Sequence, residues 1–160
     1  MRNYRSVRLA AITSIWVNAL IKDKQEELDR KLESGLLEEL ERFLLEKEPI
    51  LNGVSRNISL KVSFSSIVEM CYRVTEEKKY TPEEWIKIAE KMDNYKLSGD
   101  FEISDMETTT SKLYLEDYIW QGLEDYRREL MRDGNKRPLR LSYIIKLVIF
   151  AGWELLKEDS

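Results

Sequence analysis

The sequence predicts a mainly α-helical protein with short β-strands, and three observations lead there. Apolar residues recur at three- and four-residue steps through most of the chain, as in Trp85, Ile86, Ala89 and Met92, or Ile119, Leu123, Tyr126 and Leu130. In two short stretches that period gives way to alternation: Ile58, Leu60 and Val62 in one, Leu113 and Leu115 in the other. Pro49, Asn52-Gly53 and Gly99 punctuate the pattern with turn chemistry.

In chain order, Val7, Leu9, Ala10, Ile12, Ile15, Trp16, Ala19 and Leu20 read as the apolar side of a first helix. Gly35 allows a break, after which Leu36, Leu37, Leu40, Phe43 and Leu44 form a second stripe opposite Glu38, Glu39, Glu41 and Glu46. Residues 57–62 alternate polar and apolar and read as a strand. A helix carrying Ile67, Cys71 and Val74 inward follows, interrupted at Lys78-Lys79-Tyr80. Thr81-Pro82-Glu83-Glu84 is a capping box that opens the next helix. Further on, Thr108 to Leu115 alternates weakly, with Leu113 and Leu115 inward and Thr110, Lys112 and Tyr114 outward. A helix from Ile119 to Leu130 follows. The last helix, after Pro138, is apolar nearly all round and so requires burial on every side. The expected organisation is a helical extension over 1–53, a strand-helix-turn-helix unit over 54–98, a linker over 99–107 and a second such unit over 108–160.

Composition narrows the function. Among 160 residues there is no histidine and one cysteine, Cys71. Histidine acid/base chemistry, Cys/His zinc sites, Cys–His nucleophiles and an intrachain disulfide therefore have no residues to use. Alternating acids at Asp100, Glu102, Asp105 and Glu107 sit in the expected linker without a framing strand, so no catalytic site, metal or cofactor is expected. Glutamine occurs only at Gln25 and Gln121 while charged residues make up 35%, a hyperthermophile bias. No run reaches the length of a membrane span. The N-terminal stretch has no signal-like cleavage site, so a cytosolic protein without membrane attachment is expected.

The run Asn57-Ile58-Ser59-Leu60-Lys61-Val62 with the opening Thr81-Pro82-Glu83-Glu84-Trp85-Ile86, and Lys112-Leu113-Tyr114-Leu115 with Arg140-Leu141-Ser142-Tyr143-Ile144-Ile145, resemble ribbon-helix-helix regulators of the Arc and MetJ type. Two copies in one chain are similar to the tandem regulators of hyperthermophilic archaeal viruses. The resemblance covers 54–160 and implies two ribbon-helix-helix motifs forming a pseudo-dimer, their strands pairing into a ribbon that enters the DNA major groove. It implies base contacts from Asn57, Ser59, Lys61, Thr110, Lys112 and Tyr114, and phosphate contacts from Thr81, Ser142, Lys136 and Arg137. The implied partner is double-stranded DNA and the implied role a transcriptional regulator, in the host cell's cytoplasm if the protein is viral. The other reading is a protein-interaction module, antitoxin-like or a viral adaptor, with the N-terminal helices and the C-terminal helix as its working surface. The Leu36–Leu44 stripe leads to an expected homodimer whose two ribbons read repeated sites; the competing reading has these helices cap the core within a monomer.

Overall fold

Alternation begins earlier than the helical reading allows: Tyr4, Ser6 and Arg8 point one way, and Val7 and Leu9 are buried on the other. The first ten residues are accordingly a strand, β1 (Arg2–Ala10), and the helix α1 (Ala11–Lys31) starts directly after it. The computed structural model describes residues 1–55, 58–95, 108–130 and 138–158. After α1 come α2 (Leu37–Lys47), α3 (Phe64–Lys78), α4 (Pro82–Asp93), β2 (Thr108–Glu116), α5 (Asp117–Glu129) and α6 (Leu141–Glu158).

The described residues form one sheet, in which β1 and β2 pair antiparallel from Arg2 opposite Glu116 to Ala10 opposite Thr108. This overturns the expectation of two ribbon-helix-helix motifs over 54–98 and 108–160. Residues 58–62 of the expected 57–62 strand do not form one, and residues 1–53 are not a purely helical extension. The alternation of Ile58, Leu60 and Val62 is real, since all three are half-buried and Ser59 and Lys61 are exposed. Their backbone, however, is engaged by a side chain. Gln25 on α1 accepts a hydrogen bond from Val62 N at 2.7 Å and donates to Leu60 O at 3.3 Å. An amide clamp thus takes the place of a partner strand, whereas β1 offers β2 nine residues in register.

Both strands pass into their helices without a turn. Ala10 (φ −59°, ψ 142°) and Glu116 (φ −57°, ψ 143°) bend the chain identically. The free edge of β2 is covered by α3: Tyr114 N donates to Ser65 Oγ at 2.9 Å, and Glu116 N to the buried Glu69 carboxylate at 3.2 Å. Covering an edge in this way prevents another strand from adding there.

Helix α6 lies at the centre. It packs on α3, α1, α5, α4 and β1, which accounts for its apolar circumference: Ile144, Ile145 and Leu147 to Ala151 are all buried. Gly152 brings α6 against α3, and Trp16, Tyr95, Phe150 and Trp153 form an aromatic cluster with centroid separations of 5.1–6.0 Å. Leu9, Leu113 and Leu115 are completely buried beneath the ribbon, each contributing about 1.5–3 kcal/mol. Among the described residues no helix is long and apolar enough to cross a membrane.

Helix α2 is different. Gly35, at φ 111°, breaks the chain from α1 in a conformation that side chains resist, and α2 beyond it buries none of its residues. Leu37, Leu40 and Leu44 stay half-exposed, and Phe43 is exposed.

Candidate nucleic-acid interface

The pleat gives the ribbon two unlike faces. The inner face sets Val7, Leu9, Leu113 and Leu115 on the core. The outer face presents cross-strand pairs in the order Arg2–Glu116, Tyr4–Tyr114, Ser6–Lys112, Arg8–Thr110 and Ala10–Thr108. Of the outward residues only Ala10 and Glu116 are less than exposed.

Charge on this face is distributed unevenly. At one end Arg2 pairs with the buried Glu69 and lies 3.4 Å from Glu116, while the N-terminal amine sits 3.7 Å from Glu116. Arg73 also holds Glu69, at 3.1 Å, and its guanidinium is kept firmly protonated, chiefly by its hydrogen bond to Tyr118 Oη. Arg5, on the inner side, stacks over Trp120 at 4.8 Å and reaches Glu124 at 3.5 Å. These arginines are structural. Arg8 and Lys112, by contrast, make no ion pair with a carboxylate among the described residues. Lys112 instead lies 4.7 Å over the ring of Tyr4, which stacks on Tyr114 with centroids 4.3 Å apart.

An open cleft of about 550 Å³ flanks the tyrosine end, lined by Arg2, Glu69, Arg73, Tyr114 and the serines at the start of α3. Ser63 caps that helix, accepting from Ser66 N at 3.1 Å, so the positive end of the α3 dipole opens beside the ribbon. Glu69 in the cleft wall has every oxygen engaged and serves to tie α3 to both strands.

The expected site residues scatter. Thr110, Lys112 and Tyr114 stand together on the outer face of β2. Ser59 and Lys61 are exposed on the segment clamped along α1 and are not part of the ribbon, because their stretch never pairs. Asn57, Lys136 and Arg137 lie outside the described residues. The Thr81 hydroxyl is committed to its capping box, accepting from Glu84 N at 3.2 Å, on a helix that packs against α6. Ser142 is half-buried in the first turn of α6, where Arg140 O accepts from Ile144 N at 3.1 Å and so occupies the N-cap. The sequence reading weighed Arg8, with Arg2 and Arg5, as a basic DNA-tracking arm against ordinary terminal charge, and did not place Tyr4, Ser6 and Arg8 on a strand. The signal was present: Val7-Arg8-Leu9 and Leu113-Tyr114-Leu115 have the same apolar–polar–leucine form immediately before a helix.

Among the described residues no three acidic or cysteine side chains converge to hold a metal ion. Cys71 is buried, and burial raises its thiol to about 12, so it is a core residue rather than a nucleophile. No family model, no curated protein and no solved structure matches the chain.

Proposed function

We propose that the protein binds double-stranded DNA sequence-specifically, as a regulator of transcription, by lowering the β1–β2 ribbon into the major groove. The single observation that carries this reading is the outer face of the ribbon. Arg8 and Lys112 stand there without carboxylate partners among the described residues, beside the hydroxyls of Ser6, Thr108 and Thr110 and the two tyrosines. A two-stranded ribbon has the width that the groove admits, and arginine and lysine suit the guanine acceptors on its floor. The leucines on the opposite face hold the ribbon rigid against the core, so little ordering entropy opposes docking. The serine-rich start of α3 lines a cleft beside Arg2 and Tyr114 of the ribbon, and a helix start there suits a flanking phosphate. The reading is one of binding without catalysis.

Arg8→Ala and Lys112→Ala test it. Each should weaken binding to a selected duplex by about 1–3 kcal/mol while leaving the fold intact, because both side chains point away from the core. Salt dependence should also become shallower as cations are removed. Unchanged affinity in both variants, with native circular dichroism, overturns the reading.

Self-association belongs to the same proposal. Among the described residues nothing buries the half-exposed stripe of Leu37, Leu40 and Leu44 on α2. A second copy brings the identical stripe and covers both at once, in the isologous manner of twofold dimers. It also joins two ribbons, so that one bound ribbon raises the effective concentration of the other. Sedimentation equilibrium should show a dimer for the native protein and a monomer for Leu40→Asp/Leu44→Asp. A native monomer refutes this part alone.

A further inference from the structure

The two strands of the ribbon do not carry the same chemistry, and their register gives the difference a direction. A half-turn about the middle pair, Ser6–Lys112, would bring Tyr4 onto Thr110 and Arg8 onto Tyr114. None of these exchanges is conservative. The ribbon therefore has an aromatic end, where Tyr4 and Tyr114 stack, and a cationic end, where Arg8 stands beside Thr110.

Resting on the proposed DNA reading, we infer that the ribbon recognises a directional, non-palindromic duplex element, with thymine 5-methyl groups under the Tyr4–Tyr114 pair and a guanine under Arg8. Tyrosine rings offer apolar edges to the methyl group that marks thymine in the major groove, and a guanidinium fits the O6/N7 pair of guanine. Tyr4 is 60% exposed and Tyr114 40%, so the pair protrudes far enough to touch a base edge. The ring of Tyr4 is already taken up by Tyr114 at 4.3 Å and by Lys112 at 4.7 Å. Stacking of an unpaired base on that ring would have to displace one of them, which favours duplex over single strand. A ribbon made from two identical strands would be matched to a palindrome; this one cannot be.

Selection from a randomised duplex library with the full-length native protein, followed by fluorescence anisotropy on short duplexes, tests the inference. The expected element is not its own reverse complement; a dimer would select two copies of it, each still directional. Replacing thymine by deoxyuridine at one end of the element, which removes only the methyl groups, should weaken binding of the native protein about tenfold. The same replacement at the other end should have no effect. Tyr4→Ala/Tyr114→Ala should lose the deoxyuridine effect while keeping the guanine preference, and Arg8→Ala should do the reverse. A self-complementary half-site under a single ribbon, a deoxyuridine effect that is absent or that disappears with Arg8, or tighter binding to single strands overturns the inference while leaving nucleic-acid binding in place. Failure to bind any duplex overturns it together with the reading beneath it.

Discussion

Alanine at position 152 should destabilise the protein, although glycine-to-alanine in a helix interior ordinarily stabilises by about 1 kcal/mol. Gly152 lies on α6 where that helix meets α3. A Cβ there would fall 2.4 Å from Cys71 Cβ, 2.6 Å from its Sγ and 2.7 Å from its Cα. Carbon atoms prefer about 3.5–4.0 Å, so the helices would have to part by about 1 Å. The obstacle includes backbone and cannot rotate aside. Ile67 and Val68, one turn before Cys71 on α3, and Val148, one turn before Gly152 on α6, are all buried and would lose part of their contact together. Overpacking of this kind costs about 1–3 kcal/mol and more where backbone must move; at about 3 kcal/mol it leaves a net loss of about 2 kcal/mol after the helix gain. For a chain of this length that corresponds to a fall in Tm of about 4–8 °C. Urea unfolding followed by circular dichroism, with a thermal scan beside it, measures both. A rise in Tm or in the urea midpoint for Gly152→Ala refutes the close approach of α3 and α6, and with it the central position of α6.

Thr13 is fully buried and its hydroxyl has no hydrogen-bond partner among the described residues, so Thr13→Val should raise stability by about 1 kcal/mol in the same urea assay. Burial raises Tyr72, with Glu76 beside it adding to the effect, to about 12 from 10.0, and raises Cys71 to about 12 from 9.0. Tyr126 is pushed up too, by burial and then by its hydrogen bond to Glu76. Groups whose pKa is higher in the folded state contribute stability that is fully present below the unfolded value and is lost as pH rises through the folded one. The urea midpoint should accordingly be flat through neutral pH and fall from about pH 9–10 towards 12, less steeply in Tyr72→Phe; a midpoint unchanged to pH 12 contradicts it. Gln25→Ala should free the 60–62 backbone, speeding hydrogen exchange at Val62 with little change at Leu113 or Leu115.

Helical elements with strong local signals were legible from the sequence. The capping box at Thr81, the interruption at Lys78-Lys79-Tyr80, the break at Gly35 and the nearly all-apolar α6 were each read from neighbouring residues, and each stands where those residues place it. The outward placement of Thr110, Lys112 and Tyr114 was legible for the same reason, since the pleat alone decides which side alternate residues face. Partnership was not. Ile58–Val62 and Arg2–Ala10 both alternate, and nothing local says which of them finds a strand to pair with. The Gln25 amide, a contact across 35 and 37 residues, settled the first, and a nine-residue register between segments far apart in the chain, Arg2 with Glu116 to Ala10 with Thr108, settled the second. β1 was further hidden because it runs into α1 without a turn, so that Val7 and Leu9 blend into the helical spacing of Ile12 and Trp16. The sequence by itself determined the helices that carry strong local signals, and which residues are apolar, charged or absent. Only the tertiary structure decided which two strands make the ribbon, and hence that Tyr4, Ser6 and Arg8 stand opposite Tyr114, Lys112 and Thr110, because strand pairing is satisfied by backbone groups that every residue carries alike.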